Sequence, residues 1–158
     1  MKIHLSTFRA EAILCLIVLL VANSYAFIVT DGRGFFRVAV TVHDGRDLSP
    51  VEGVMLTMSE AGEESAKSDA NMREHVKMFL PQKTGQHGDA FVYYYGGFSS
   101  ESDAQGKLKY SQQVRGKLKV EKAGFKSVVI KLENAIGPVF SSSSSLPLIE
   151  IRLEPESK

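Results

Sequence analysis

Apolar and polar residues alternate one for one in run after run of this chain, and few patterns restrict a fold more tightly. In Phe36-Arg37-Val38-Ala39-Val40-Thr41-Val42, the residues Phe36, Val38, Val40 and Val42 fall on one side of an extended backbone. Successive side chains of a strand point to opposite faces, so this period, filled by β-branched residues, predicts a half-buried strand. The same reading holds for Val54 to Met58, Lys107 to Tyr110, Gly116 to Lys122, Lys126 to Leu132 and Leu148 to Leu153. Ala90 to Tyr95 is a further strand, ending at Gly96-Gly97. Breaks fall at Asp31-Gly32-Arg33-Gly34, which reads as a turn-rich leader, and at His43 to Asp47, Ser102 to Gly106 and Ala123-Gly124-Phe125. The expected fold is all-β: an antiparallel β-sandwich of seven or eight strands, charges outward, with room for one short helix in an insertion.

That insertion is Ser59 to Gly88. Glu60 to Ala70 is small, acidic and polar without apolar periodicity, and predicts a surface loop. Asn71 to Leu80 supports two readings. Met72, Val76 and Phe79 share a helical face, with Asp69 available as an N-cap and Pro81 as a stop, whereas Val76, Met78 and Leu80 alternate as in a strand. Pro138 to Pro147 includes five consecutive serines from Ser141 to Ser145, a run that cannot bury apolar area and predicts a mobile connection.

The first 26 residues predict a destination. Lys2 and Arg9 precede the apolar stretch Ala12 to Ala22 and the small-residue pattern Ser24-Tyr25-Ala26, the form of a cleavable secretory signal. The domain is then residues 27–158, secreted or periplasmic. The apolar core is about 11 residues against the roughly 20 that a membrane span needs, but extension to Val29 leaves an anchor over 12–29 as the alternative. A lipobox at Ala12-Ile13-Leu14-Cys15 has the wrong order, since most of the apolar run follows the cysteine. Cys15 is the only cysteine, so no disulfide closes within one chain and packing must supply the stability. About 132 residues suffice for that. Removal of Lys2, Arg9 and Glu11 from 19 basic and 18 acidic residues leaves 17 of each, and this neutral balance predicts no nucleic-acid partner. The local basic run Lys107, Lys109, Arg115, Lys117, Lys119, Lys122 and Lys126 mostly alternates with apolar residues and reads as a solvated strand face.

Three segments together carry a family likeness. Pro50-Val51-Glu52-Gly53-Val54, Ser102-Asp103-Ala104-Gln105-Gly106-Lys107-Leu108, and Gly116-Lys117-Leu118-Lys119-Val120 followed by Ala123-Gly124-Phe125 resemble the carboxypeptidase regulatory-like domains, which belong with the transthyretin-like β-sandwiches. Ser102 stands where that family has threonine, and the Ser59 to Gly88 segment has no counterpart in its minimal pattern. The resemblance spans roughly Gly34 to Leu153 and implies a non-catalytic folding, adhesion or ligand-contact module. Such motifs specify architecture more than activity.

No catalytic, metal or cofactor site is expected. The related transthyretin-fold hydrolases of a purine-derived ring carry a C-terminal Tyr-Arg-Gly-Ser, and this chain ends Arg152-Leu153-Glu154-Pro155-Glu156-Ser157-Lys158. No serine lies in a G-x-S-x-G elbow, no helix follows Gly32 and Gly34 to bind phosphate, and Arg37 occupies the first strand where an isopeptide crosslink would use lysine. His43, His75 and His87 lack short zinc-ligand spacing. A secreted hydrolase or metal-dependent enzyme assembled from them with Asp44 or Asp89 is the alternative, and it requires their convergence. The expected contact surface for a protein or glycan partner is instead an aromatic edge made by Phe91, Tyr93, Tyr94 and Tyr95. Three of the five tyrosines lie in that run, on both strand faces, so at least one ring should meet a surface or an interface.

Overall fold

Val38, Val40 and Val42, the alternating residues of the first strand, are fully buried. They belong to β1 (Val29–Asp44), in a computed structural model that describes residues 29–102, 108–141 and 145–157. The expected signal segment 1–26 lies outside the described residues, as do nearly all of the alternative anchor 12–29, residues 103–107 and residues 142–144. Among the described residues no helix is long and apolar enough to cross a membrane.

Two sheets form around β1. β4 (Asp89–Ser102) lies antiparallel beside it, from Val29 opposite Glu101 to Thr41 opposite Asp89. β5 (Leu108–Gln113) and β8 (Val139–Ser141) extend this sheet beyond β4, and β9 (Leu148–Leu153) lies on the other side of β1. The smaller sheet has the order β3-β2-β6-β7, from β2 (Met55–Ser59), β3 (Gln82–Lys83), β6 (Lys117–Glu121) and β7 (Val128–Lys131). The molecule is thus the expected all-β sandwich, with nine strands among the described residues, because β3 and β8 add short edges. One pairing is not antiparallel: β9 runs parallel to β1, Ala39 beside Leu148 through Asp44 beside Leu153. The chain reaches β9 from β8 at the opposite edge of the same sheet, the kind of long connection that a parallel pair requires.

The core lies between the sheets. Val38, Val40, Val42, Val92, Tyr94, Ile149, Ile151 and Leu153 meet Leu56, Met58, Leu118 and Val120, with Val51, Val54, Ala61, Val114 and Leu132 completing the cluster. β1, β2, β4, β6 and β9 contribute alternate residues, as the period requires, and each large aliphatic buried is worth about 1.5–3 kcal/mol.

Glycine accounts for two differences from the sequence-based expectation. Asp31 to Gly34 is not a leader turn but the start of β1, and β4 does not stop at Gly96-Gly97 but runs on to Ser102. These segments pair with each other, Asp31 opposite Ser99 and Gly34 opposite Gly96. A Cβ at Gly32 would lie 2.6 Å from the Phe98 ring, and one at Gly96 would lie 2.9 Å from the Gln113 carbonyl oxygen. Both glycines therefore permit close packing within a strand rather than a turn. The glycines of the family-like segments do mark turns: Gly53, Gly116 and Gly124 have φ of 69°, 122° and 84°.

The insertion is helical in two places. Glu60 to Ala70, expected as a loop, contains α1 (Glu63–Ser68), which buries only Ala66 and so leaves no apolar period to read. The ambiguous stretch beyond it forms a 3-10 helix, Arg73–Phe79. Asp69 is not its N-cap; that position is Met72, without a side-chain bond. After β7, α2 (Leu132–Ile136) leads to β8.

At the end of β1 the buried Asp44 accepts 2.9 Å bonds from the Arg46 backbone N–H and Nε, and pairs with its terminal nitrogen. The Arg46 side chain foremost, then its backbone N–H, lowers the carboxyl to about 2. An unfolded aspartate titrates near 3.9, so this pairing stabilises the fold above about pH 4 and is lost as pH falls toward 2. Urea midpoints should decline through that window, and Asp44→Asn should be less stable at neutral pH with a shallower acid decline. Leu118→Ala, at a fully buried site, should lose about 2–5 kcal/mol in the same assay. Val129→Ala, at an exposed site of the smaller sheet, should stay within about 0.5 kcal/mol.

Candidate functional site

The odd-numbered residues of β1 face away from the core, and strand register extends each into a row across the larger sheet. Phe35 lies opposite Tyr95, Arg37 opposite Tyr93, and Ala39 between Phe91 and Leu148. Thr41 follows between Asp89 and Glu150, then His43 beside Arg152.

The insertion covers the first of these rows. Leaving β2, the chain passes so close to β4 that a Cβ on Gly62, at φ 94°, would stand 2.2 Å from the Tyr95 carbonyl oxygen. The Tyr95 N–H donates to the Ala61 carbonyl at 2.6 Å. Asp69 then accepts from the Tyr95 hydroxyl at 2.6 Å and from the Asn71 N–H at 2.9 Å. Finally the 3-10 helix lays Phe79 against Phe35, with ring centroids 5.3 Å apart, and His75 at 6.2 Å.

This arrangement corrects half of the expected aromatic edge. Tyr94 and Tyr95 are both buried, on opposite faces. Tyr94 points into the sandwich, where its hydroxyl donates to Gln112 at 3.1 Å and burial pushes it up to about 12. Tyr95 lies on the outer face but meets an interface within the chain, the insertion. Phe91, 43% exposed, and the half-buried Tyr93 remain at the surface. Sequence reasoning missed their neighbours. The Arg37 guanidinium sits 4.6 Å from the Phe91 ring centroid, and Leu148, 52% exposed, continues the apolar row across Ala39. One signal was available: β9 alternates, and Leu148 is the apolar member of the outward phase that otherwise holds Glu150 and Arg152.

The uncovered half of this face is therefore banded. Asp89 and Glu150 form an acidic row, Phe91, Ala39 and Leu148 an apolar row, and Arg37 with Tyr93 a basic and aromatic row. Rows are spaced by two residues, about 7 Å.

His43 and His75 stand far apart. His43 lies at the far end of β1, its Nδ1 3.1 Å from the Leu48 carbonyl oxygen, in a cleft of about 150 Å³ shared with Glu150 and Arg152. His75 touches Phe35, eight strand positions and hence about 26 Å from His43. His87 is exposed between Gly85 and Gly88. Among the described residues no group of three or more His, Cys, Asp or Glu side chains is placed to hold a metal ion. The basic run is dispersed: Lys117, Lys119 and Lys126 pair with Glu60, Glu121 and Glu154, and Lys122 donates to the Glu52 carbonyl. No family model matches the chain, and no curated protein matches it.

The Tyr95 hydroxyl foremost, then the Asn71 N–H, holds the Asp69 carboxyl below its ordinary range, and the same bond raises Tyr95. Because the folded carboxyl is the stronger acid, the latch is at full strength above the ordinary carboxylate range and weakens as pH falls. Limited proteolysis should cut residues 60–80 of Tyr95→Phe severalfold faster than wild type at neutral pH. In wild type, faster cutting by an acid-active protease should appear only on acidification.

Proposed function

We propose that this chain is a non-catalytic exported β-sandwich module that binds a protein partner on the uncovered half of the outer face of its larger sheet. The carrying observation is the pair Phe91 and Leu148, 43% and 52% exposed and side by side across Ala39. Large apolar side chains adjacent on a flat face leave an apolar surface in water that a partner would remove, and such patches mark interaction sites. The charged rows on either side suit a partner with an apolar side chain at its centre. Its cation would lie toward Asp89 and Glu150, its anion toward Arg37. Charges at a rim set orientation and association rate more than affinity, so Phe91 and Leu148 would carry the binding.

Export rests on the signal-like residues 1–26. Retention of residues 12–29 would display the same face from a membrane. The carboxypeptidase regulatory-like resemblance supports a contact module over an enzyme, and the separation of His43 from His75 weighs against a hydrolytic site built from those two histidines.

The exported chain, immobilised and exposed to an envelope extract, should retain a partner that Leu148→Asp and Phe91→Ser release and that Val129→Asp, on the smaller sheet, does not. Truncation of a central contact costs about 2 kcal/mol or more, at least a tenfold loss of retention. No retained partner, or one indifferent to both substitutions, would defeat the reading.

A further inference from the structure

Past the insertion, the outer face of the larger sheet continues and changes character. β1, β4, β5 and β8 lie side by side there. Asp31, Ser99 and Ser111 share one row, and the next is Arg33, Gly97, Gln113 and Val139. These residues line a cleft of about 370 Å³, toward the lower end of the roughly 300–1,000 Å³ found for small-molecule sites.

Gly97 lies in the second of these rows, and its presence needs a reason. Glycine is disfavoured inside strands, where it adds flexibility and packs nothing. Gly32 and Gly96 are each required by a neighbour that a Cβ would strike, as described above. Gly97 is not. A Cβ there would lie 3.5 Å from Gln113 Oε1 and 3.9 Å from the Gly32 carbonyl oxygen, both ordinary contacts, and its φ is outside the left-handed region. Neither backbone conformation nor packing excludes a side chain at 97. What the missing side chain does is keep the cleft open and leave a bare peptide as its floor.

The groups around that floor define what would fit. Arg33 only donates hydrogen bonds, the Asp31 carboxylate only accepts them, and Gln113, Ser99 and Ser111 do both. The formal charges of Asp31 and Arg33 cancel, so the cleft selects neither an anion nor a cation. Val139, 54% exposed, adds an apolar margin. A sugar ring has the complementary character: uncharged hydroxyls that both donate and accept, and apolar C–H faces. We propose that this cleft binds a neutral saccharide of one or two rings. The insertion separates it from the Phe91–Leu148 face, and the proposal stands independently of a protein partner there.

The test is amide NMR of the ¹⁵N-labelled chain titrated separately with glucose, N-acetylglucosamine, cellobiose and chitobiose. At least one should produce saturable shifts at Gly97, Ser99, Ser111 and Gln113 while leaving Phe91 and Leu148 unmoved. Gly97→Val should abolish those shifts without lowering the melting temperature, and Arg33→Ala should weaken binding about tenfold through loss of a charge-assisted hydrogen bond. Absence of saturable shifts with all four sugars would overturn the proposal. So would a Gly97→Val chain that binds as wild type does, or shifts confined to other parts of the molecule.

Discussion

The β1–β4 ladder is the constraint on which the rest of the molecule depends. β1 has 16 residues and β4 has 14, whereas no strand of the smaller sheet exceeds 5. At about 3.3 Å per residue the ladder, paired from Val29 to Thr41, is some 40 Å long and the strands facing it about 17 Å. The smaller sheet therefore covers only part of the inner face. Beyond it, the core continues as an aromatic stack in which Phe36 lies 5.3 Å from Tyr94 and 6.1 Å from Phe98. Gly32 admits the Phe98 ring flat against the strand. On the outer face the same length is a liability, since a long sheet with one covered side exposes rows of side chains that must be polar, covered or used.

All three solutions are present along β1. The row at Phe35 and Tyr95 is covered, and the chain devotes residues 60–80 to that purpose. Their attachment combines the Tyr95 N–H bond to Ala61 and the Tyr95 hydroxyl bond to Asp69 with the packing of Phe79 on Phe35 and the burial of Ala61 and Ala66. Toward one end of the ladder the rows become small and polar, as at Ser99 and Ser111. Toward the other they keep Phe91 and Leu148 exposed, with Arg37 spread over the Phe91 ring. An arginine on an aromatic face is attracted to its π-system while its planar group stays hydrated. It partly shields Phe91 from water without closing it to a partner.

How much of this was legible in the sequence follows from the range of each signal. Alternation is local, so the buried faces of β1, β2, β6 and β9 were readable from Val38, Leu56, Leu118 and Ile151 and their neighbours at intervals of two. Turn chemistry is local as well, and the break at Gly124 was read correctly. Gly32 and Gly96 were misread because the same residue serves a tight turn and a close approach, and the second is visible only once Phe98 and the Gln113 backbone are in place. Tyr94 and Tyr95 show the same limit. Their opposite phases were evident, but the cover over Tyr95 comes from a segment whose six-residue helix buries one alanine and leaves no period to find. The apolar row itself joins residues 39, 91 and 148, which only the register of two separate pairings brings together.

The ladder also fixes the geometry between the two uncovered surfaces. Ala39, at the centre of the apolar row, and Arg33, at the edge of the polar cleft, lie six positions apart on one continuous strand, about 20 Å. That stretch of β1 is held in register against β4 throughout, so ligands held at the two places would be kept at a set distance rather than linked by a flexible tether. Between them stands the insertion, fixed by a bond that weakens in acid. Its docking involves few buried residues, which places it toward the low end of local stability. Loosening of residues 60–80 would expose Phe35 and Tyr95 and merge the two surfaces into one long face, with loss of the contacts that Ala61 and Phe79 make with the sandwich core. The part of the molecule most able to change shape is thus the part that keeps its two surfaces separate.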